Sequence, residues 1–273
     1  MGSVGPLKIG YESPAAPFDA WRLYDPENPN PGYFEFDWIS ARHPDLYHRF
    51  ALSTNGLLDE LEKLVDLTGL DIVDIGAGTG RSTLGAARTA KHVYAVDVYR
   101  SVVEFGRNEV SKAGLTNVTY LQGDRAALPL EDESVDAALA AWAEFDPQEM
   151  YRVLRPGGWV VVGACAPGSL MGELTEVLSP SYPEFVSEVA ARDTFDPEFP
   201  PEDGEFGTES WQGVPVRWMK YHDFTHVADF GDPTELAAIL GRIYGPVAEQ
   251  YARDNGKWTL AYRLRICYGQ VAK

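Results

Sequence analysis

The chain of 273 residues has a hydrophobic content of 45% and a formal net charge of −18. Its length suits one large domain, or a core domain with insertions, and its apolar residues can supply a real core. The excess of acids argues against non-specific binding to nucleic-acid phosphates and against an anionic membrane surface as partner. Cys165 and Cys267 are not in C-x-x-C spacing, so no zinc or redox motif is predicted.

The sequence shows no signal for membrane insertion or for secretion. Residues 1–10 lack the long apolar core of a secretory signal, and no run approaches the length of a transmembrane helix. The two cysteines are typical of small buried apolar residues, which fits a reducing compartment. We therefore expect a cytoplasmic protein without a membrane partner, whereas the oligomeric state stays unknown.

Residues 1–50 are rich in aromatic side chains and prolines. Such a segment is too apolar to be a disordered tail, so we expect it to fold over another part of the chain. It either packs on the outside of the core or forms a cap whose rings wall a ligand pocket. Residues 51–69 carry leucines at helical spacing and predict an amphipathic helix that stops near Gly69.

From residue 70 onward, apolar runs that predict strands alternate with amphipathic runs that predict helices. The predicted strands are 70–75, 92–97, 118–121, 135–141 and 159–164, and the predicted helices between them are 81–90, 101–113 and 147–154. Strands separated by helices in this rhythm predict a parallel sheet wound by right-handed crossovers. Ligands of such sheets bind beyond the carboxyl ends of the strands.

The sequence G-A-G-T-G at residues 76–80 follows the first of these strands. Glycine lacks a Cβ, so the backbone can turn sharply there and come close to a ligand. The turn leads into a predicted helix, whose first N–H groups attract negative charge. A dinucleotide fingerprint, G-x-G-x-x-G, would need glycine where Arg81 stands. Taken alone, the pattern could also be a simple strand-to-helix corner.

Acidic residues close the next two strands. Asp97 is the last residue of the second strand, and Asp124 follows the third. The carboxylate of Asp97 can accept hydrogen bonds from both hydroxyls of a ribose, or it can cap the helix that follows. Asp124 can accept a bond from an adenine amino group, or it can cap a turn. Two such acids beside a glycine turn favour a nucleoside site at this edge of the sheet.

Four motifs between residues 70 and 165 carry a resemblance to a known family. They are the glycine turn preceded by Asp74, the strand-end acid Asp97, the run G-D-R-A-A-L-P-L with S-V-D after it (123–136), and R-V-L-R-P-G-G (152–158). In order and spacing these motifs resemble those of class I S-adenosylmethionine (SAM) dependent methyltransferases. The resemblance is to the ubiquinone/menaquinone-methyltransferase-like type.

The resemblance implies an α/β fold with a Rossmann-like, seven-stranded, mostly parallel sheet and an antiparallel hairpin at one edge. Residues 214–227 and 258–268 are the candidates for that hairpin. On this basis residues 51–273 form the methyltransferase domain and residues 1–50 an N-terminal cap segment. Residues 166–232 form an insertion after the fifth strand that is either a lid or an acidic surface excursion.

The resemblance also implies S-adenosyl-L-methionine as the cofactor and methyl donor. The residues that would contact it lie in the glycine turn and at strand ends: Asp74, Gly76, Ala77, Gly78, Asp97, Val98, Asp124, Arg125 and Ala141. The glycine turn would pass under the methionine part of the donor, with Asp74 near its amino group and bound to it through water. Asp97 would hold the ribose and Val98 would pack on the adenine, whose edge residues 124–125 would read. Ala141 could offer a carbonyl.

The stretch after the fourth strand departs from the family pattern. Residues 142–146 (W-A-E-F-D) are fewer than relatives usually have before R-V-L-R-P-G-G, so the usual active-site residues cannot be transferred. Glu144 is the residue that we expect to be catalytic or to bind substrate, although it also fits a surface acid at a helix start. His43 and His222 are expected to be structural or surface histidines. No cluster has metal-ligand spacing, so no metal is predicted.

The sequence therefore predicts transfer of a methyl group from SAM to a small, apolar or aromatic molecule. Two alternatives stay open. One is an enzyme of the same fold with other SAM chemistry, such as an aminopropyltransferase that uses decarboxylated SAM. The other is a non-catalytic SAM-binding protein whose flanking segments form a partner interface. A nucleic-acid substrate is not expected, because the charge is wrong and no N-P-P-Y-like tetrapeptide follows the fourth strand.

Overall fold

The structure is a computed structural model that describes residues 43–53, 56–166, 172–181, 183, 204–206, 210–244, 246–256 and 258–273. Most of the predicted cap segment, residues 1–42, lies outside the described residues. So do residues 167–171 and 184–203 of the predicted insertion. Among the helices of the described ranges, none is long and apolar enough to cross a membrane.

Nine strands occur within the described residues: β1 (Asp71–Ile75), β2 (His92–Asp97), β3 (Val118–Gln122), β4 (Val135–Ala141), β5 (Leu154–Cys165), β6 (Gly204–Phe206), β7 (Ser210–Trp211), β8 (Val214–Asp229) and β9 (Thr259–Val271). They form one sheet in the order β3-β2-β1-β4-β5-β9-β8-β6, with β7 paired to β8. Strands β1 to β5 run parallel, whereas β9 is antiparallel to both β5 and β8. The predicted parallel sheet and antiparallel pair are confirmed. The short strands β6 and β7, from within the predicted insertion, extend the predicted seven-stranded pattern.

Strand β1 lies at the centre of the parallel part of the sheet and is buried along its whole length. It pairs with β2 on one side and β4 on the other. Ile72 belongs to one hydrophobic cluster, whereas Val73 and Ile75 belong to another on the opposite face. The apolar run therefore folds as a strand that is covered on both faces, as its composition predicts.

The helices of the described residues are α1 (Pro44–Ser53), α2 (Gly56–Leu61), α3 (Arg81–Ala86), α4 (Arg100–Lys112), α5 (Pro147–Val153), α6 (Leu174–Leu178), α7 (Pro233–Tyr244) and α8 (Pro246–Asp254). The single helix predicted over residues 51–69 is wrong, because α1 and α2 are separate and turns follow Leu61. The leucine spacing still places the apolar side chains of α2 in the core. Beyond α2, the carboxylate of Asp66 accepts the N–H of Thr68 at 3.0 Å, a local bond that competes with helical bonding.

Strand β5 begins at Leu154 rather than near Trp159, where the apolar run predicts it. Leu154 pairs with Val135 and Trp159 pairs with Ala137, so the register shifts within this segment. The proline and glycines of residues 156–158 supply the irregular backbone at this shift. The R-V-L-R-P-G-G motif therefore runs from the end of α5 into a bulged strand.

Helix α1 is fixed against the C-terminal part of the domain. Nη1 of Arg49 lies 2.7 Å from Oε1 of Glu235 in α7, and other side chains of α1 are buried in the main hydrophobic cluster. This docking turns Tyr47 toward the glycine turn, where its Cε1 would lie 3.5 Å from a Cβ on Gly78. The described end of the predicted cap segment thus packs on the core and also reaches the edge of the sheet where the site is expected.

Candidate cofactor and active site

The glycine turn takes its shape from three left-handed residues. Gly76, Gly78 and Gly80 have φ values of 65°, 56° and 104°. A Cβ at Gly76 would in addition overlap the Cβ of Ala143, which lies in the loop after β4. An L-residue at position 76 would therefore be strained by its backbone and blocked by a neighbour. The turn needs glycine there for the close approach of two loops at the carboxyl end of the sheet.

Asp97, the last residue of β2, connects its strand end to this turn. Its Oδ2 accepts the N–H of Gly78 at 2.9 Å, and its Oδ1 accepts the N–H of Tyr99 at 2.9 Å. The N-cap residue of α4 is Tyr99, which makes no side-chain capping bond. Asp97 is thus not the N-cap of this helix. Asp97 also lines the cleft described below.

A cleft opens at the carboxyl ends of β1 to β4, where the sequence predicts a nucleoside site. The residues that line it are Tyr47, Ile75, Gly76, Gly78, Val96, Asp97, Val98, Tyr99, Gly123, Asp124, Arg125, Trp142, Ala143 and Glu144. The structure thus brings together most of the predicted contact residues on one surface. The predicted contacts that do not line the cleft are Asp74, Ala77 and Ala141.

Asp74 lies before the glycine turn, and its carboxylate bonds to helix α3. Thr83 Oγ1 donates to Asp74 Oδ2 at 2.6 Å, and the residue is buried. Burial raises the pKa of Asp74 to about 7, although the Thr83 bond opposes this rise. Asp74 therefore links strand β1 to helix α3, the two elements that flank the glycine turn.

Ala77 and Ala141 also have structural surroundings that explain their absence from the cleft wall. Ala77 is buried in a small apolar cluster with Val103 and Tyr120, and its N–H donates to the carbonyl of Val96 at 3.0 Å. Ala141 ends β4 and pairs with Gly163 in β5. Both residues hold neighbouring parts of the site in place without lining it.

Two charged residues face each other at the cleft. Nη2 of Arg125, in the loop after β3, lies 2.5 Å from Oε2 of Glu144, in the loop after β4. The Glu144 side chain is 77% exposed, so its carboxylate is hydrated as well as paired. Next to Arg125, the Asp124 carboxylate accepts the N–H of Ala126 at 2.9 Å, and the same residue lines the cleft. Asp124 therefore has both the turn-stabilising geometry and the exposure toward the cleft that the sequence left open.

Three further residues at the cleft were not predicted from the sequence as site residues. The guanidinium carbon of Arg81 lies 4.1 Å from the ring centre of Trp142 and 5.8 Å from that of Tyr47. Its Nη2 donates to the Tyr47 hydroxyl at 3.3 Å. Trp142 has a φ of 52°, an uncommon backbone state for a large side chain, and its N–H donates to the carbonyl of Gly163 at 2.7 Å. Strain of this kind is found most often at functional sites.

The two histidines named from the sequence lie away from this cleft. His222 Nε2 is 3.1 Å from Oε1 of Glu60, and its ring stacks on Phe224. His43 is buried at the start of α1 and lines a separate groove with residues of α7 and α8. Both positions agree with the predicted structural role. In the described ranges, no group of three or more His, Cys, Asp and Glu side chains could hold a metal ion.

Comparisons with known proteins identify a family model and relatives that this chain resembles. Residues 72–158 match the family model described as "Methyltransferase domain". The chain is 34% identical over 103 residues to demethylmenaquinone methyltransferase of Clavibacter sepedonicus, covering 35% of this chain and 41% of that protein. It is 31% identical over 138 residues to malonyl-[acyl-carrier protein] O-methyltransferase of Pectobacterium atrosepticum, covering 48% and 53%. The YcgJ protein of Bacillus subtilis superimposes with a TM-score of 0.48 at 18% identity, over 79% of this chain and 98% of that chain.

Residues 72–158 are a class I SAM-dependent methyltransferase domain. This confirms the resemblance carried by the four motifs, and with it the α/β Rossmann-like fold and SAM as the donor that such domains use. The matched region spans about half, or less, of each of the two curated relatives.

Proposed function

We propose that this protein is an enzyme that transfers a methyl group from SAM to a small apolar or aromatic molecule. The observation that carries the proposal is the convergence of Gly78, Asp97 and Asp124 on one cleft at the carboxyl ends of three strands. This is the position at which sheets of this class bind nucleotide-like ligands. The residues present fit a nucleoside, because carboxylates line the cleft at two neighbouring strand ends, and carboxylates accept hydrogen bonds from hydroxyl and amino groups.

The placement of the donor in the cleft follows from the chemistry of the lining residues. Asp97 would accept hydrogen bonds from the ribose hydroxyls, and Val98 would pack on the adenine. Asp124 and the backbone of Arg125 would bind the adenine edge. The glycine turn leaves room for the sulfonium and the amino-acid part, because its backbone carries no side chains at Gly76 and Gly78. When bound, SAM would supply an activated methyl group on its sulfonium, with the neutral thioether SAH as the leaving group.

The walls beside the glycine turn support an apolar or aromatic acceptor. Tyr47 and Trp142 both line the cleft there and are half-buried. Aromatic side chains are the usual walls of pockets that take flat or apolar ligands. The two curated relatives are named for different acceptors, a demethylmenaquinone and a malonyl group on acyl-carrier protein. The shared domain therefore does not name the acceptor, and the argument for its class comes from these two side chains.

The chain's own contribution to the reaction is mainly to hold the acceptor in line with the methyl group. Positioning of two reactants supplies a large part of the rate in such displacements. We propose that Glu144 acts on the acceptor, as a base for a hydroxyl or as a binding partner for its polar end. Its support is its position on the cleft wall, in the loop after β4. The ion pair with Arg125 keeps the carboxylate oriented across the cleft.

The proposal is tested with the purified protein, SAM and a panel of phenols, quinols, aliphatic acids and amines, with formation of S-adenosylhomocysteine (SAH) as the readout. We expect SAH to form with members of the aromatic group above the rate without acceptor. Turnover with decarboxylated SAM and a polyamine, and not with SAM, would instead indicate an aminopropyltransferase. Binding of SAH in calorimetry without transfer to any acceptor in the panel or in a cell extract would indicate a non-catalytic SAM-binding protein.

A further inference from the structure

Arg81 is a buried cation without a carboxylate partner among the residues that the structure describes. It is the first residue of α3, directly after the glycine turn, and only 8% of it is exposed. Its contacts are the Tyr47 hydroxyl at 3.3 Å and the two aromatic rings of Tyr47 and Trp142. Arginines are seldom buried in this way unless an anion accepts from the guanidinium.

The contacts present in the structure offset only part of the cost of burying this charge. The Trp142 ring gives a favourable cation–π interaction with Arg81. A hydroxyl accepts one of the five N–H groups of the guanidinium, which leaves the others available. Asp74 is near enough for Arg81 to affect its titration, but its carboxylate accepts from Thr83. Burial also raises the pKa of Asp74 to about 7, so that acid is a weak source of negative charge at neutral pH.

The guanidinium lies beside the cleft, and Arg81 is not itself among the lining residues. Both of the side chains that it contacts, Tyr47 and Trp142, line the cleft, and so does Gly78 of the adjacent turn. A planar guanidinium matches a carboxylate through two parallel N–H bonds, which a lysine cannot copy. The amino-acid arm of SAM ends in a carboxylate, and this is the one anionic group that the donor carries.

We propose that Arg81 is the carboxylate-binding residue of this cleft, and that its occupant is the carboxylate on the amino-acid arm of SAM. The inference rests on the proposed function, because it requires a donor in the cleft. Tyr47 and Trp142 then have a second role. They would hold the guanidinium in place so that its remaining N–H groups can donate to the carboxylate of the ligand. This role explains why helix α1 contributes a residue to a site that is otherwise built from the loops of the sheet.

A carboxylate on the acceptor would satisfy the same chemistry, and two ligands separate the sources. SAH carries the amino-acid arm, whereas 5′-methylthioadenosine has the same nucleoside and thioether without it. Calorimetry measures the affinity of both for the wild-type protein and for Arg81→Gln, Arg81→Lys and Arg88→Gln. Arg88 is exposed just beyond α3, so its substitution removes the same charge from the same segment without a change at the cleft.

We expect Arg81→Gln to weaken SAH binding by about 10- to 100-fold, as for the loss of a charge-assisted pair, with 5′-methylthioadenosine changed by less than about 3-fold. Arg81→Lys should lie between wild type and Arg81→Gln, and Arg88→Gln should match wild type. Equal losses for both ligands would overturn the inference, because they would mean that Arg81 only supports the cleft wall. Unchanged SAH affinity in Arg81→Gln would overturn it as well. Failure of the wild-type protein to bind either nucleoside would instead reject the proposed function.

Discussion

The carboxylate of Asp97 accepts the backbone N–H of Gly78 at 2.9 Å, which fastens the end of β2 to the glycine turn after β1. Asp97 ends β2, Gly78 lies in the turn that follows the neighbouring parallel strand β1, and both line the cleft. One carboxylate thus shapes the turn through one oxygen and stays accessible to a ligand. This relationship makes the conformation of the turn and the affinity of the cleft depend on each other.

Substitution of Gly76 tests whether the turn needs glycine for space as well as for its backbone angle. We expect Gly76→Ala to lower the free energy of unfolding by about 1 kcal/mol more than Gly69→Ala, and up to about 3 kcal/mol more, because its Cβ overlaps that of Ala143. Gly69 is the matched control, since its φ of 73° is similar and a Cβ there meets nothing within 4 Å. Chemical denaturation of both variants measures the difference.

The double variant Gly76→Ala/Ala143→Gly checks the cause of this loss. Removal of the Ala143 Cβ leaves the backbone penalty at position 76 but relieves the overlap, so the double variant should be about as stable as Gly69→Ala. An equal loss for Gly76→Ala and Gly69→Ala would show that the loop after β4 does not confine the turn.

The raised pKa of Asp74 should make the free energy of unfolding depend on pH. Its pKa in the folded protein is raised from 3.8 to about 7, chiefly by burial. Between these values the folded state holds a proton that the unfolded state has released, so stability falls as pH rises through this window. Asp74→Asn keeps an acceptor for Thr83 and does not titrate. The free energy of unfolding of the variant should therefore rise, relative to that of wild type, by up to about 1.4 kcal/mol for each pH unit between about 4 and 7.

Urea denaturation of the two proteins at several pH values measures this gain. The difference in free energy of unfolding should be constant below pH 4 and constant again above pH 7, with the variant more stable in the upper range. A difference that does not change with pH would mean that Asp74 is ionised in the folded protein throughout.

The proposed role of Glu144 is separable from its ion pair with Arg125. With a hydroxyl acceptor, we expect Glu144→Gln to lower kcat by about 100-fold or more, because general base catalysis contributes on this scale. Arg125→Gln breaks the same ion pair but keeps the carboxylate, so its kcat should fall by much less. Initial rates with the acceptor found in the panel give both values. Equal effects of the two substitutions would mean that kcat falls because the ion pair is lost, and not because a base is lost.

The sheet is the part of this protein that the sequence predicts best. Strands β2 and β4 have the bounds read from their sequence, and β1 differs by one residue, because strands in the middle of a parallel sheet are rich in apolar residues. The helix predicted over 81–90 ends earlier, at Ala86, where residues pass into turns. Tertiary packing decides such ends, and the pattern of apolar residues alone does not record it.

The sequence predicts the cleft residues that lie at strand ends. It does not predict the cleft residues that come together from distant parts of the chain. Asp97 and Asp124 follow from the rule that ligands bind at carboxyl ends of parallel strands. The bond between Asp74 and Thr83 could not be read from the place of Asp74 before the glycines, because it joins β1 to helix α3. The cluster of Tyr47, Arg81 and Trp142 joins three separate elements, and no local spacing reveals such a contact.

The central claim is that the cleft beside Asp97 binds an adenosyl ligand. Isothermal titration of the wild-type protein and of Asp97→Ala with SAH tests it most directly, with thermal unfolding to show that the variant is folded. We expect a Kd of roughly 1 μM to 1 mM for wild type and binding weaker by about 10- to 100-fold for the variant. Absence of binding by the wild-type protein at millimolar SAH, or equal affinity of a folded Asp97→Ala variant, would contradict it.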